Sequence, residues 1–472
     1  MGLIFALPFS LITLIAFIFV LGAAVILHEF GHFIVAKLFR IRVETFSFGF
    51  GPRLVGLKRG QTDYRISAVP LGGYVKLGGD ESNAPIEGES APDIPAEERF
   101  DLRPRWQRVL VALAGPIMNI LTALSVPFLA ALIVGVQITP APVVSAILPG
   151  GAAEKAGLQR GDRIVAFNGN TNPKWDTISG DALLSPGQSL PIEVNRNGQR
   201  LSLTITPTPH TEEGETVGFL DFVPDYGNLP VTLHQVTPNS PAAEAGLQVG
   251  DRLVAINGEP VRSAEQVTQS IRARRGQPVT LRIERNGVQR DVTATARKLE
   301  GETQERLGIQ PSEDIPSQRA GMLASARYAV DKNVEIMRLT GKALGQMVAG
   351  KRSVRNTISG PIGIYSAVST SVQRLGWDGL FSILGFLSLN LGIFNLLPIP
   401  VLDGGAIFLL LIEGLLALVG MTISVTMRER IQQVGFVVII VLMVFVITND
   451  VLKRWSIRQQ SNDAPATSSP AR

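Results

Sequence analysis

Four stretches of this chain run without a charged residue for about the length needed to cross a bilayer. A membrane helix needs about 20 apolar residues. Residues 1–28 hold no formal charge, and 7–27 is apolar throughout. A second uncharged run covers 109–153, with its spanning part near 109–136. A third covers 379–402, which is 24 residues, or about 36 Å as a helix. The last, 431–449, is 19 residues. A further apolar stretch, 414–427, is short for a span and reads as interfacial or buried in protein. The pattern predicts four transmembrane helices, with 404–427 left open. Composition agrees: charged residues are 18% of the chain, against about 25% in soluble proteins. The first span reads as a membrane helix rather than as a cleaved signal peptide, since a basic leader and a clear cleavage site are missing.

Short cytoplasmic loops are enriched in Lys and Arg. The 37–108 connection carries twelve of them, from Lys37 to Arg108. That places 37–108 on the cytoplasmic side and 140–370 outside. The 413–430 connection, with Arg428 and Arg430, returns inside, and Lys453 and Arg454 after the last span run against the rule. With no cysteine, disulfides, iron–sulfur clusters and thiolate metal sites are excluded. Any metal must be held by His, Asp or Glu. The net charge of +4 comes without a dense basic block, so nucleic acid is not an expected partner.

The segment outside the membrane contains an internal repeat. Residues 149–169 and 238–258 are identical at 13 of 21 positions without a gap, at an offset of 89. The same offset relates Arg196-Asn197-Gly198 to Arg285-Asn286-Gly287. Two copies of one domain follow. Each reads as strand, short helix, Gly-Asp turn, strand, helix and hairpin. The string A-G-L-x-x-G-D-x-I/L-V-A-x-N-G resembles bacterial PDZ domains. Val217-Gly218-Phe219-Leu220 and Leu307-Gly308-Ile309 then resemble the loop that takes a peptide carboxylate on backbone N–H groups, with the peptide added to a sheet edge. Peptide-binding and spacer or steric-gate roles both remain open for the pair. His210 and His234 read as ordinary surface or core residues.

The chemistry lies at the end of the first span, in His28-Glu29-Phe30-Gly31-His32. On a helix, residues four apart share a face, so both imidazoles of H-E-x-x-H can reach one metal. Glu29 stands next to them and can take a proton from water at the metal. Three protein ligands plus water make an open, catalytic zinc site, and zinc lowers the pKa of that water to about 7. Two of the four histidines of the chain fall at this spacing, in a membrane segment where an ionisable residue costs about 2.5–3.5 kcal/mol. The third-ligand candidate is Asp403, after Asn395-Leu-Leu-Pro398-Ile-Pro400. Both prolines cannot sit in one regular helix. Broken backbone at membrane depth is tolerated where it is packed in protein or lines a wet cavity. Asp403 reads equally as a helix N-cap. Two His and a carboxylate also suit non-haem iron, though the H-E-x-x-H spacing favours zinc.

Nearly the whole chain resembles the bacterial site-2 proteases, the intramembrane zinc metalloproteases of the sigma-E-regulating branch. The matching motifs are H-E-F-G-H at 28–32, G-P-x-x-N at Gly115–Asn119, S-G-P-I-G-I at 359–364 and N-x-x-P-x-P-x-L-D-G-G at 395–405. The resemblance implies one Zn2+ per chain on His28, His32 and Asp403, with Glu29 as general base. It implies Asn395 in substrate binding or transition-state stabilisation. Ala406 departs from the family, where many relatives carry His after D-G-G. The implied substrates are single-pass membrane proteins of the anti-sigma-factor type, and remnant signal peptides. The implied location is the bacterial cytoplasmic (inner) membrane, with the PDZ domains extracytoplasmic. Two other readings stay open: a non-enzymatic PDZ scaffold with a relic metal site, and a metal transporter.

A transmembrane helix must be unwound before its peptide bonds can be cut. Residues 43–77 alternate in a strand-like way (Phe46, Phe48 and Phe50 against Thr45, Ser47 and Gly49) and lead to Gly72 and Gly73. They resemble the family's re-entrant β-loop, and an edge strand there is expected to hold the unwound substrate. The expected fold class is a polytopic α-helical membrane protein with about four spans and that β-loop, plus two α+β PDZ domains. The expected divisions are 1–136 (spans one and two), 137–226 and 227–313 (PDZ), 314–375 (an amphipathic linker helix on the outer membrane surface), 376–455 (spans three and four) and 456–472 (a disordered tail). Residues 80–98 read as an acidic, Pro-rich linker, and Trp106 with Arg103, Arg105 and Arg108 as an interfacial anchor.

Overall fold

The computed structural model describes residues 9–80, 93–137, 139–212, 215–227, 229–274, 276–298, 305–313, 317–353, 360–421 and 423–462. Most of the 80–98 linker and Ser359 of the S-G-P-I-G-I motif lie outside them. The chain forms two compact units: Met1–Ile133 with Ala320–Thr340 and Leu344–Arg472, and Val134–Arg319 with Gly341–Ala343. The first boundary therefore falls at 133/134, and the return at 319/320, rather than after 136 and 313.

Among the described residues the first unit holds six α-helices: α1 (Phe9–Leu38), α2 (Arg105–Ile133), α3 (Met322–Val348), α4 (Pro361–Asn395), α5 (Asp403–Leu418) and α6 (Val425–Asn462). Among the described residues, four segments are long and apolar enough to cross a membrane: Leu11–Leu38, Arg105–Ile133, Leu375–Asn395 and Arg430–Leu452. Small residues let α1 and α4 approach, so that Ala16, Phe17, Val20 and Ala24 pack on Val368, Leu380 and Leu384.

Four expectations need correction here. The third span stops at Asn395, not 402, because Pro398 and Pro400 cannot continue a helix. The 414–427 stretch is no single element: α5 ends at Leu418 and α6 begins at Val425. With 16 residues, α5 is about 24 Å long, too short for a straight span. The tail expected from 456 is helical as far as Asn462. The 375/376 division also cuts a helix, since α4 starts at Pro361 and only bends at Gly376, with φ 58°.

The N-terminus of α4 is closed by Asp450, buried on α6. Its carboxylate accepts from the backbone N–H groups of Gly360 (3.0 Å), Ile362 (3.1 Å) and Gly363 (3.2 Å). A helix start offers such orphan donors and the positive end of its dipole. That bond explains the glycine of the motif, because a Cβ on Gly360 would stand 2.8 Å from Asp450 Oδ2.

The linker helix exists as α3, with an unexpected division of faces. Its buried residues are Ser325, Ala329 and Asn333, and Asn333 Nδ2 donates to the Ala123 carbonyl of α2 at 3.0 Å. The apolar residues Met322, Val330, Val334 and Met337 point outward.

Between α1 and α2 lies a bent hairpin, β1 (Val43–Arg59) and β2 (Thr62–Leu77). Its register shows four strand segments. Residues 43–48 pair on one side with 73–77, 45–48 pair on the other with 63–66, and 53–59 pairs with 62–67. The sheet edges are therefore 53–59 and 72–77. Its alternation is inverted relative to a soluble sheet. Thr45 and Ser47 are buried, and the Ser47 hydroxyl bonds that of Ser67 at 2.9 Å. The phenylalanines between them are half-buried, Phe46 meeting the Phe33 ring edge-on at 5.4 Å.

The second unit holds the two repeats. Each folds as a six-strand sheet with two helices, five strands lying in line and a two-residue sixth (170–171 or 259–260) pairing with the middle one. The first sheet runs in spatial order 222–225, 141–147, 163–167, 190–196, 199–205, and the second 309–313, 231–236, 252–256, 278–285, 288–295. Each has its own core, around Phe167 and Ile178 in one and Ile256 and Leu281 in the other. One ion pair explains why G-D and R-N-G recur together. Arg196 grips Asp162 through two bonds of 2.8 Å, and Arg285 grips Asp251 at 2.6 and 2.7 Å. Asn197-Gly198 and Asn286-Gly287 take positive φ at both positions, as a two-residue hairpin turn requires.

Candidate metal centre

α1 carries His28 and His32 one helical turn apart, with Glu29 directly after His28. The two imidazole rings meet edge-on with centroids 4.9 Å apart and Nε2 atoms 3.2 Å apart. The two intervening motif features are packing devices. A Cβ on Gly31 would stand 2.2 Å from the Ala114 carbonyl oxygen, so glycine is what lets α2 cross α1 here. A Cβ on Gly115 would stand 2.3 Å from His32 Nε2 and 2.8 Å from His28 Cε1. The imidazoles therefore stand directly over a bare α2 backbone. The Nδ1 of His32 lies 2.7 Å from the Val111 carbonyl. Donating there leaves its Nε2 lone pair free for a metal. The Nδ1 of His28 lies 3.1 Å from the amide of Asn119.

Asp403 arrives from the far end of the sequence. After Asn395 the backbone turns through short bonds, Ile399 N–H to Leu397 O at 2.7 Å and Leu402 N–H to Ile399 O at 3.1 Å. Val401 takes φ 83°, a left-handed conformation that is strained for a β-branched residue. The turn is clamped onto the start of α5: a Cβ on Gly404 would lie 2.3 Å from the Leu396 carbonyl, and one on Gly405 2.1 Å from that of Ile399. Asp403 is the first residue of α5, and Leu402, not Asp403, occupies the N-cap position. The N-cap alternative for Asp403 is thus corrected. Its carboxylate reaches His28 Nε2 at 3.1 Å and His32 Nε2 at 3.4 Å.

These three side chains can each offer a ligand atom to one metal ion. Their separations of 3.1, 3.2 and 3.4 Å match the edge of a zinc tetrahedron, about 3.3 Å for bonds of about 2.0–2.1 Å. The donor set fits zinc, with one position left open.

Around the centre, Asn395 Nδ2 lies 3.3 Å from His28 Nε2. Glu29 accepts from the Val75 backbone N–H of β2, and a Cβ on Gly73 would be 3.5 Å from Glu29 Cγ. Gly72 is one residue further on, where a Cβ would collide with the Phe50 ring at 2.1 Å. His28, Glu29, His32, Asp403, Asn395 and Gly73 are thus brought together.

Gly218 and Gly308 belong to the second unit, and their equivalence needs correction. Thr237 N–H donates to Gly308 O as Leu148 N–H donates to Asp221 O, and Ala242 N–H to Leu307 O as Ala153 N–H to Leu220 O. The counterpart of Gly308 is therefore Asp221, and both take positive φ, 80° and 55°. Gly218 instead packs on the Trp175–Leu183 helix, where a Cβ would lie 2.3 Å from the Ala182 carbonyl. Sequence reasoning had marked Gly115 and Asn119 by motif without giving them a task. The Val111 carbonyl carries no sequence signal at all.

A family model described as "Peptidase family M50" matches residues 16–442. The chain belongs to peptidase family M50, the site-2 protease family. It is a metalloendopeptidase with, among the described residues, four candidate membrane helices and a sheet-rich, PDZ-like region of two repeats. An M50 relative of Escherichia coli, the regulator of sigma-E protease RseP, is 32% identical over 93% of this chain and 98% of the relative. The protein of the same name from Salmonella typhimurium is likewise 32% identical, over 93% and 98%. A Vibrio cholerae protein named as a zinc metalloprotease is 33% identical over 92% of this chain and 97% of its own length. Among solved structures, the PDZ domain of an SdrC-like protein from Listeria monocytogenes is 19% identical, covering 19% of this chain and 93% of its own, with a TM-score of 0.17.

Proposed function

We propose that this M50 peptidase is a zinc endopeptidase that cuts single-pass membrane proteins within the membrane. The observation that carries the reading is the meeting of His28, His32 and Asp403 at tetrahedral spacing with Glu29 beside them, on a segment apolar enough to span a bilayer. His28 and His32 Nε2 and an Asp403 oxygen would hold the metal, one ion per chain. Bound zinc supplies a Lewis acid and brings water within reach of deprotonation near neutral pH. Glu29 is the base: its carboxylate takes the proton of that water and passes it to the leaving amine. The Val75 N–H holds Glu29 in place. Asn395, 3.3 Å from His28 Nε2, stands where an amide can donate to a carbonyl oxygen as it gains charge.

The substrate is delivered as an unwound strand. The sheet edge 72–77 passes Glu29, so a strand added to that edge would lie beside the metal ligands. Substrates of the anti-sigma-factor type fit relatives named as regulators of sigma-E, and they or remnant signal peptides would enter as a single strand. The Lys/Arg-rich 37–108 connection puts the sheet on the cytoplasmic side and the PDZ pair outside the inner membrane. There the pair excludes proteins with large outer domains or reads a newly cut C-terminus.

The test is cleavage of a model single-pass substrate in proteoliposomes by wild type and Glu29→Gln, with metal content measured in both. The expected result is a loss of about 100-fold or more with one zinc per chain retained. Equal cleavage by the variant, or no cleavage by wild type of any truncated substrate, overturns the enzymatic reading in favour of a scaffold.

A further inference from the structure

His28 and His32 are held differently on their Nδ1 sides. The Val111 carbonyl beside His32 can only accept. Beside His28 stands the side-chain amide of Asn119, fully buried on α2, one turn after Gly115 on the same face. Amide oxygen and nitrogen are assigned by the hydrogen bonds they make. As placed, Nδ2 is 3.1 Å from His28 Nδ1, and Asn119 Oδ1 is buried without a partner. An imidazole that binds metal through Nε2 carries its proton on Nδ1. With metal bound, an NH2 group facing Nδ1–H would set donor against donor and leave the oxygen orphaned as well, a penalty of the kind native cores avoid.

Resting on the zinc reading above, we propose that Asn119 is a positioning residue for the metal. Its amide oxygen accepts the His28 Nδ1–H, which fixes the tautomer and ring angle that present Nε2 to zinc. One turn of the amide removes the donor–donor clash and the orphaned acceptor together. The freed NH2 then needs an acceptor at the α2–α4 contact. Gly392 of α4 sits against Asn119, where a Cβ would be 3.3 Å from Asn119 Cβ, and Ser388, one turn earlier on α4, has a buried hydroxyl with no partner either. Both metal-binding imidazoles are thereby oriented from a single helix, His32 by the Val111 carbonyl and His28 by Asn119. Gly115 between them gives the rings their room.

The experiment is zinc affinity, by chelator competition on the full chain in detergent, for wild type, Asn119→Leu and Asn119→Asp. The leucine variant keeps the volume and removes the acceptor, and should bind zinc about 10–100-fold more weakly. The aspartate variant offers only acceptors, and should hold zinc within about threefold of wild type or more tightly. An Asn119→Leu protein with wild-type affinity overturns the proposal. So does an Asn119→Asp protein that loses zinc like the leucine variant, because then the amide faces His28 with its NH2 or serves packing alone. The aspartate variant decides the orientation even if the leucine variant does not fold. A wild-type chain that holds no zinc would overturn the metal reading itself, a result separable from either variant's failure.

Discussion

At the residue scale, the chain places its exacting demands on backbone room and on paired charges. Gly31, Gly115, Gly404 and Gly405 each stand where one added carbon would collide with a neighbouring backbone or an imidazole. The same economy governs the PDZ repeats. Asp162 has no exposed side-chain surface, and burial by itself would raise its pKa. The Arg196 guanidinium and the Gln159 N–H outweigh that and hold the carboxyl below the usual carboxylate range. A carboxylate with a depressed folded pKa stabilises above its unfolded value and loses that contribution as pH falls through the folded one. The first PDZ domain should therefore weaken below about pH 4. Asp162→Asn should cost about 1.5–3 kcal/mol at neutral pH and flatten that acid dependence, as read by denaturant unfolding at a series of pH values.

At the element scale, the two-proline break is what turns a long apolar run into α4, a strained turn and α5. It sets Asp403 at the first turn of α5, where the helix dipole favours a carboxylate. The bent hairpin is the second decisive element, since its 72–77 edge is the strand that borders Glu29. A proline there removes a backbone N–H of the edge itself and disturbs its pairing with any added strand. Tyr74→Pro should abolish substrate cleavage while leaving zinc bound, and Tyr74→Ala controls for loss of the ring. Cleavage at the wild-type rate by the proline variant would exclude the edge as the substrate's track.

At the scale of the whole molecule, the candidate metal ligands His28, His32 and Asp403 all belong to one compact unit and both repeats to the other. Binding a metal stabilises the folded unit that holds it. Removing zinc with a chelator should therefore lower the unfolding temperature of the membrane unit and leave that of the PDZ unit unchanged. Calorimetry in detergent should show one transition that moves and one that does not. A single transition shifted as a whole would mean that the two units unfold together.

Much of this was legible along the chain. Uncharged length revealed the four spans, an 89-residue offset revealed the repeats, and i,i+4 spacing put His28 and His32 on one face. These signals are local, so periodicity and spacing carry them. The third-ligand candidate was only half legible: Pro398 and Pro400 announced a break, but Asp403 read equally well as a cap. Its role depended on where α5 begins, which is set by the clamp of Gly404 and Gly405 on the preceding turn. The mismatch between Gly218 and Gly308 arose for the same reason. Motif likeness aligned the glycines, whereas backbone hydrogen bonds pair Gly308 with Asp221. The tasks of Gly115, Asn119 and Val111 exist only once α2 crosses α1 at Gly31. Contacts between residues about 80–90 positions apart are created by helix packing, and no local pattern records them.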